Sequence, residues 1–170
     1  MRRSILLALL ALLTVIAAAR AHAGQPEFSY MTLNGLRQLA AVAEDIPREL
    51  VALGFTPGLV EQRARERLAS AGIEVVPLEQ ALSAPNAGKL RIRLVTNRDG
   101  YGLYYYGLKL ELRQKIPLGN PAGGFVSQVV WTDGESGTMK ADEFGKPLSA
   151  LDRLLTALIA DHRAQNAAVH

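Results

Sequence analysis

Basic and tyrosine side chains recur at odd-numbered positions between residues 91 and 115, which makes this stretch the part of the sequence most suited to bind an acidic molecule. Arginine presents a planar fork of donors that matches phosphate and carboxylate groups, and lysine adds a mobile positive charge. The partner would be a phosphorylated glycolipid, an anionic polymer or a protein. The alternative is an ordinary solvated sheet face, whose charges deter pairing with other chains. The candidate ligand-binding residues are Arg91, Arg93, Tyr105, Arg113 and Lys115.

A second candidate is a carboxylate-rich segment that could offer oxygen ligands to calcium. It does not follow the EF-hand pattern, because Thr138 occupies the position that needs glycine and Phe144 the position of the bidentate glutamate. We therefore expect a polar loop and no metal site, with an irregular calcium site as the alternative. The acidic residues concerned are Asp133, Glu135, Asp142 and Glu143.

Catalytic motifs are absent from the sequence. The stretch Gly134-Glu135-Ser136-Gly137 lacks one residue of the G-x-S-x-G elbow, and it does not join a strand to a helix. A partner for Ser136 would have to be His162, on a predicted helix, or His170 in the tail. The pair Gly100-x-Gly102 lacks the third glycine of a dinucleotide-binding loop. We therefore predict no catalytic residue and no cofactor.

The basic side chains are positioned by two predicted strands. Leu90, Ile92 and Leu94 alternate with charged residues, and the same alternation runs from Tyr104 to Ile116. A period of two is typical of a strand with one buried and one solvated face. The even-numbered side chains should therefore point inward, and the odd-numbered ones outward.

The turn between these strands is predicted at Asn97-Arg98-Asp99-Gly100. A three-residue loop, Arg98 to Gly100 with Gly100 left-handed, keeps even positions opposite even positions. This register places Leu94 opposite Tyr104 and Arg93 opposite Tyr105.

The N-terminal residues 1–23 have the composition of a secretory signal peptide. Arg2 and Arg3 precede an apolar run from Ile5 to Ala19. The segment Ala21-His22-Ala23 has small residues at the two positions that signal peptidase recognises. We expect cleavage after Ala23, a periplasmic location and no transmembrane segment in the remaining chain, residues 24–170, which we predict to be a single domain.

Charge and cysteine content exclude several function classes. The net charge of +3 disappears with the signal peptide, because Arg2, Arg3 and Arg20 account for it. The basic isoelectric point is therefore no argument for nucleic acid as a partner. The sequence contains no cysteine, so disulfides and thiol chemistry are excluded.

Helix signals stand out in two places. Thr56 can cap a helix with Pro57 at its first position and Gly72 as its left-handed stop, and Val60, Ala64 and Leu68 form its apolar stripe. The other predicted elements are a strand over Ile73–Val76, a helical turn over Leu78–Leu82, a strand over Phe125–Thr132, a loop over Asp133–Lys146 and an amphipathic helix over Pro147–Asn166.

Several short motifs are spread over the chain, namely Leu33-x-Gly35-Leu36, Val42-x-Glu44-Asp45-Ile46, Ala71-Gly72-Ile73, Trp131-Thr132 and a terminal amphipathic helix. In this pattern the chain resembles a set of small exported proteins of proteobacteria to which no activity is assigned. The resemblance implies export and fold, and it implies a strand within residues 33–46. There Leu36, Gln38, Ala40 and Val42 would alternate, although Leu36, Leu39, Ala40 and Ala43 would also line a helix.

These elements predict an α+β fold. We expect a mostly antiparallel sheet of about five strands, in the sequence order β-α-β-β-β-β-α, with two helices packed on one face. The other face would carry the basic side chains.

The function predicted from the sequence is that of a non-enzymatic binding or accessory module of the cell envelope, which contacts an anionic component or another envelope protein through this basic face. Reversing the charge of Arg91 and Arg93 should then weaken binding with little loss of stability. The alternatives are a small secreted hydrolase with an unrecognised active site and a subunit of a homo-oligomer. A deep cleft that holds His162 with Ser136 or an acidic group would favour the hydrolase.

Overall fold

The computed structural model describes residues 33–44, 46–117 and 124–167, so the predicted signal peptide and its cleavage site after Ala23 lie outside the described residues. The fold is α+β, as predicted. The strands are β1 (Gln38–Glu44), β2 (Glu74–Val75), β3 (Ala87–Arg98), β4 (Tyr104–Pro117) and β5 (Phe125–Met139). The helices are α1 (Arg48–Ala52), α2 (Pro57–Ser70), α3 (Leu78–Ser83) and α4 (Gly145–Asn166).

The five strands form one sheet in the order β2-β1-β3-β4-β5. The three long strands β3, β4 and β5 pair antiparallel and make up most of the sheet. The short strand β2 and β1 run parallel to their neighbours, so the order and direction of the first two strands go beyond the prediction.

The alternation of buried and solvated side chains along β3 and β4 is as predicted. Leu90, Ile92 and Leu94 are fully buried, and so are Leu110 and Leu112 of the partner strand. The intervening odd-numbered side chains of β3 and β4 lie on the opposite face. The inward set forms the centre of the main hydrophobic core, with the inner stripes of α2 and α4.

The predicted register of this hairpin is wrong by four residues. Leu94 lies opposite Leu108 and Arg93 opposite Lys109, and the loop consists of residues 99–103. The side chain of Asp99 fixes this longer loop, because its Oδ1 accepts hydrogen bonds from the backbone N–H groups of Tyr101 (2.9 Å) and Leu103 (2.8 Å). The left-handed residue is Gly102 (φ 86°), two positions after the one predicted.

The stretch 33–46, whose pattern fits both a strand and a helix, contains the strand β1, as the resemblance implied. Its core side is nevertheless the odd-numbered one: Leu39 is fully buried in the main core, and Ala41 and Ala43 pack against it. Ala40 is buried on the opposite face, where it belongs to a separate small cluster with Ala81 of α3.

Helices α2 and α4 pack together on the core face of the sheet, as predicted. Helix α2 begins as the sequence indicates, because Thr56 Oγ1 accepts a hydrogen bond from the backbone N–H of Leu59 at 3.2 Å, and Gly72 follows its end with φ 84°. The short α3 lies on the other face and covers one corner of it. Among the described residues, no helix is long and apolar enough to span a membrane.

Strand β5 continues seven residues past its predicted end at Thr132, so most of the predicted loop over Asp133–Lys146 is a strand or a helix. Gly137 explains the continuation. A Cβ at this position would lie 2.7 Å from the hydroxyl oxygen of Tyr106, so the glycine makes room for a buried tyrosine ring on the adjacent strand. Glycine here serves cross-strand packing and not a turn.

Candidate functional site

The odd-numbered side chains of β3 and β4 form one continuous surface with the end of β1. We call it the basic face, and it consists of Glu44, Lys89, Arg91, Arg93, Tyr105, Lys109, Glu111, Arg113 and Lys115. The pairing that assembles it is non-local, because the parallel register of β1 with β3 places Glu44 opposite Arg93.

Glu44 holds two of the cations. Its carboxylate receives Arg91 through Nε (2.7 Å) and Nη2 (2.6 Å), and it lies 2.5 Å from Nζ of Lys89. The hydrogen bonds from Arg91 lower the pKa of Glu44 more than its partial burial raises it. The same contact raises the pKa of Arg91, so this guanidinium remains charged and takes no part in proton transfer.

Glu111 is the one buried charged side chain among the described residues, with 7% of its surface exposed. Its carboxylate accepts a hydrogen bond from Nε of Arg113 at 2.6 Å, and Arg91 Nη1 lies at 3.2 Å and Lys109 Nζ at 3.6 Å. Burial opposes ionisation, but these three cations outweigh it, and the pKa of Glu111 is lowered. Arg91 therefore links both carboxylates across three strands.

A groove of about 320 Å³ opens on this face between α3 and the ends of β4 and β5. We call it the basic groove. Its lining residues are Glu44, Ala81, Leu82, Ala87, Lys89, Arg91, Arg113, Gln114, Lys115 and Ser127.

The basic groove brings together three of the five predicted ligand-binding residues, Arg91, Arg113 and Lys115. The other two lie elsewhere on the basic face. Arg93 is partly buried between Glu44 and Lys109, and Tyr105 is half exposed farther along β4, opposite Asn97.

Several groove residues were missed by the sequence reasoning. Lys89 alternates in the same pattern as the predicted residues, and this signal would have included it. Glu44, Ala81 and Leu82 enter the groove through the pairing of β1 and the docking of α3, for which the sequence offers no local signal.

The charges around the basic groove are of a kind that suits an anion. Four cations contact the two carboxylates and a fifth lines the groove, so the cations outnumber the carboxylates among these described side chains; the four are Lys89, Arg91, Lys109 and Arg113, and the fifth is Lys115. The carboxylates fix the arginine forks in place, and Lys115 is exposed. Preordered donors of this kind suit phosphate or carboxylate oxygens.

The residues that a hydrolase would need are not brought together. Ser136 is exposed and lines a hollow with Val95 and Gly107 on the basic-face side of the sheet. His162 lies on α4, on the core side, with Nε2 2.7 Å from the carbonyl oxygen of Leu36. The two side chains are thus separated by the sheet.

Two of the four acidic residues considered for calcium form ion pairs with lysine or arginine side chains. Glu135 pairs with Arg153 of α4, and Glu143 accepts a hydrogen bond from Nζ of Lys146 at 2.7 Å. Within residues 33–44, 46–117 and 124–167, no three histidine or acidic side chains gather into a group that could hold a metal ion.

No protein-family model and no curated protein matches this sequence. Solved structures with a similar course of the chain include a minor lipoprotein from Acinetobacter baumannii, with 12% identity, a TM-score of 0.38 and coverage of 76% of this chain and 92% of that one. A PelC dodecamer from Paraburkholderia phytofirmans has 18% identity, a TM-score of 0.37 and coverage of 77% and 86%. The rare lipoprotein B from Shewanella oneidensis has 12% identity, a TM-score of 0.27 and coverage of 74% and 90%. Two of these three neighbours are lipoproteins, and similarity at this level carries no argument about the function of this chain.

Proposed function

We propose that this chain is an exported binding module of the cell envelope that captures an anionic ligand in the basic groove. The observation that carries the proposal is the convergence of Lys89, Arg91, Arg113 and Lys115 on a single concavity. The N-terminal sequence, with its basic start and apolar run, supports export.

The cations of the groove differ in mobility, and this difference supports ligand capture. Arg91 and Arg113 are tied to carboxylates at 2.6 to 3.2 Å and keep a fixed orientation. Lys115 extends from an exposed position at the rim. A ligand oxygen would then meet oriented guanidinium groups from below and a mobile ammonium group from the side.

The ion pairs also decide which residue is the better probe. Arg91 holds Glu44 and Glu111, so we expect reversal of its charge to cost stability as well as binding, whereas the sequence alone led us to expect little loss of stability. Lys115 lines the groove from an exposed position, so its reversal leaves the pairs of both carboxylates in place.

The test is fluorescence anisotropy of labelled short-chain polyphosphate with the purified protein. At low salt, Lys115→Glu should weaken binding about tenfold, and added salt should weaken binding by the unchanged protein. The matched control is Arg65→Glu, which makes the same charge change at an exposed position of α2 on the core side of the sheet. Equal affinities of the two variants, or binding that is insensitive to salt, would refute the basic groove as the site.

A further inference from the structure

Strand β4 ends and strand β5 begins beside the basic groove, where β5 carries exposed apolar side chains. We call them the apolar tip, which consists of Phe125, Val126 and Val129. Phe125 is 66% exposed, Val126 43% and Val129 36%, and the neighbouring Ile116 is partly buried and packs against the main core. The described helices do not cover this end: α4 meets β5 at Trp131, whose Nε1–H donates a hydrogen bond to Asp161 at 2.8 Å, and the apolar tip lies beyond that point.

The apolar tip presents apolar side chains on both faces of the sheet. The pairing of β4 with β5 places Val126 opposite Ile116, with even-numbered side chains toward the core side. Val129 lies opposite Arg113, on the side of the basic face. Within the part of the chain that the structure describes, Phe125, Val126 and Val129 remain 36–66% exposed, and an exposed apolar patch is typical of a surface that contacts a membrane or another protein.

The apolar tip and the basic groove are continuous. Lys89, Arg113 and Val129 lie in one row across three strands, with neighbouring strands about 4.8 Å apart. Ser127 lies between Phe125 and Val129 and lines the groove itself. Leu82, which is 42% exposed, adds an apolar side chain on the opposite wall. The combined surface is therefore cationic at its centre and apolar at its end.

We infer that the anionic ligand of the basic groove, on which this inference depends, is the head group of an anionic lipid in a membrane surface, into which the apolar tip inserts. Basic residues near a membrane gain from the negative surface potential, and apolar side chains gain by leaving water at the boundary of the acyl chains. From Phe125 to Val129 the strand advances about 13 Å, a length suited to the interfacial layer and too short to cross the hydrocarbon core.

The charge of the surface separates a membrane from other occupants. A soluble anion would satisfy the basic groove and leave Phe125 in water. A second copy of the chain that covered the whole surface would bring a second cationic groove toward the first, and like charges repel. An anionic lipid surface is complementary to both parts at once.

Vesicle flotation tests the inference, with vesicles of phosphatidylcholine alone and of phosphatidylcholine mixed with phosphatidylglycerol. The protein should float with the anionic vesicles and not with the neutral ones. Phe125→Ser should weaken this binding about tenfold, because it removes the largest apolar side chain of the tip. Its matched control is Tyr101→Ser, since Tyr101 is 99% exposed in the loop at the other end of the sheet. Lys115→Glu should also weaken the binding, and Arg65→Glu should not.

Insertion has a direct optical readout. In a Phe125→Trp variant, the new indole should shift its emission to shorter wavelength and be quenched by brominated lipids when anionic vesicles are added. The native Trp131 is buried, with 2% exposure, and provides an unchanging background in the unsubstituted protein.

The polyphosphate assay separates the failure of this inference from the failure of the proposed function. Phe125→Ser should bind polyphosphate as tightly as the unsubstituted protein, while Lys115→Glu weakens both ligands. Polyphosphate binding without preference for anionic vesicles would overturn the lipid inference and leave the basic groove as a site for soluble anions. If the unsubstituted protein binds neither polyphosphate nor anionic vesicles, the proposed function and the lipid inference are both overturned. A dimer in light scattering that Phe125→Ser converts to a monomer, with vesicle binding unchanged, would reassign the apolar tip to contacts between copies and overturn its insertion.

Discussion

Replacement of Arg91 by methionine should destabilise the protein by about 2 kcal/mol, because its guanidinium connects Glu44 and Glu111 on a partly buried face. Hydrogen bonds to charged groups contribute about 1.5–3 kcal/mol each, but neither carboxylate is left alone. Glu44 keeps Lys89 at 2.5 Å, and Glu111 keeps Arg113 at 2.6 Å. The expected loss is therefore below the roughly 3–5 kcal/mol that follows when a buried charge loses its only partner.

The matched control is Arg63→Met. Arg63 makes a similar bidentate contact with Asp152, at 3.0 and 2.6 Å, but its side chain is 44% exposed against 23% for Arg91. Solvent screens this pair, so its loss should cost no more than about 0.5 kcal/mol. Urea denaturation followed by circular dichroism measures the free energy of unfolding of both variants. In thermal unfolding, the Tm of Arg91→Met should be lower by about 4–8 °C. Equal effects of the two variants would refute the structural role of Arg91.

Three further predictions concern the fold and its electrostatics, and two of them include a control variant. The pKa of Glu111 is lower in the folded chain than the ordinary 4.5, so its ionised form stabilises the fold above that pH, and this contribution is lost as the pH falls through the folded pKa. In urea unfolding, Glu111→Gln should therefore be less stable than the unsubstituted protein at neutral pH, and the difference should shrink below pH 4.5. Gly137→Ala should cost about 1–3 kcal/mol in the same assay, because the new methyl group would overlap the ring of Tyr106. At Gly145 no atom other than those of its chain neighbours and its own helix backbone lies within 4 Å of an added Cβ, so Gly145→Ala should instead add about 0.5 kcal/mol, and a loss of stability there would contradict the open space. Thr56→Ala should cost about 1 kcal/mol by removing the cap of α2, with Thr56→Ser as the variant that retains it.

The side-chain orientation in the hairpin could be predicted from the sequence because it depends only on a period of two. The register could not be predicted by the same argument. A shift of four residues leaves every side chain on its original face, so alternation does not distinguish the predicted pairing from the one in the structure. The difference is decided by Asp99, whose side chain accepts hydrogen bonds from two backbone N–H groups, and by Gly102 in the left-handed region.

Of the candidate site, only the cations could be predicted from the sequence. Arg91, Arg113 and Lys115 follow from the alternation, and the structure places them in one groove. The carboxylate of Glu44 that orients Arg91 comes from β1, whose parallel pairing with β3 depends on packing between segments distant in sequence. Local propensity carries no information about such pairings. In the same way, the glycines of β5 predicted a loop. The tyrosine that fills the space above Gly137 lies on another strand, so the sequence around Gly137 does not reveal its packing role.

Helix α3 rests on a cluster of small side chains, Ala40, Val76, Ala81 and Ala87, that is separate from the main core. Small side chains bury little apolar area, so detaching this helix from the sheet takes less free energy than opening the core. Amide hydrogens of α3 should consequently exchange with solvent through local opening, well before those of α2 and α4. Because Ala81 and Leu82 form one wall of the basic groove, each such opening widens the groove while the sheet that carries the arginines keeps its shape.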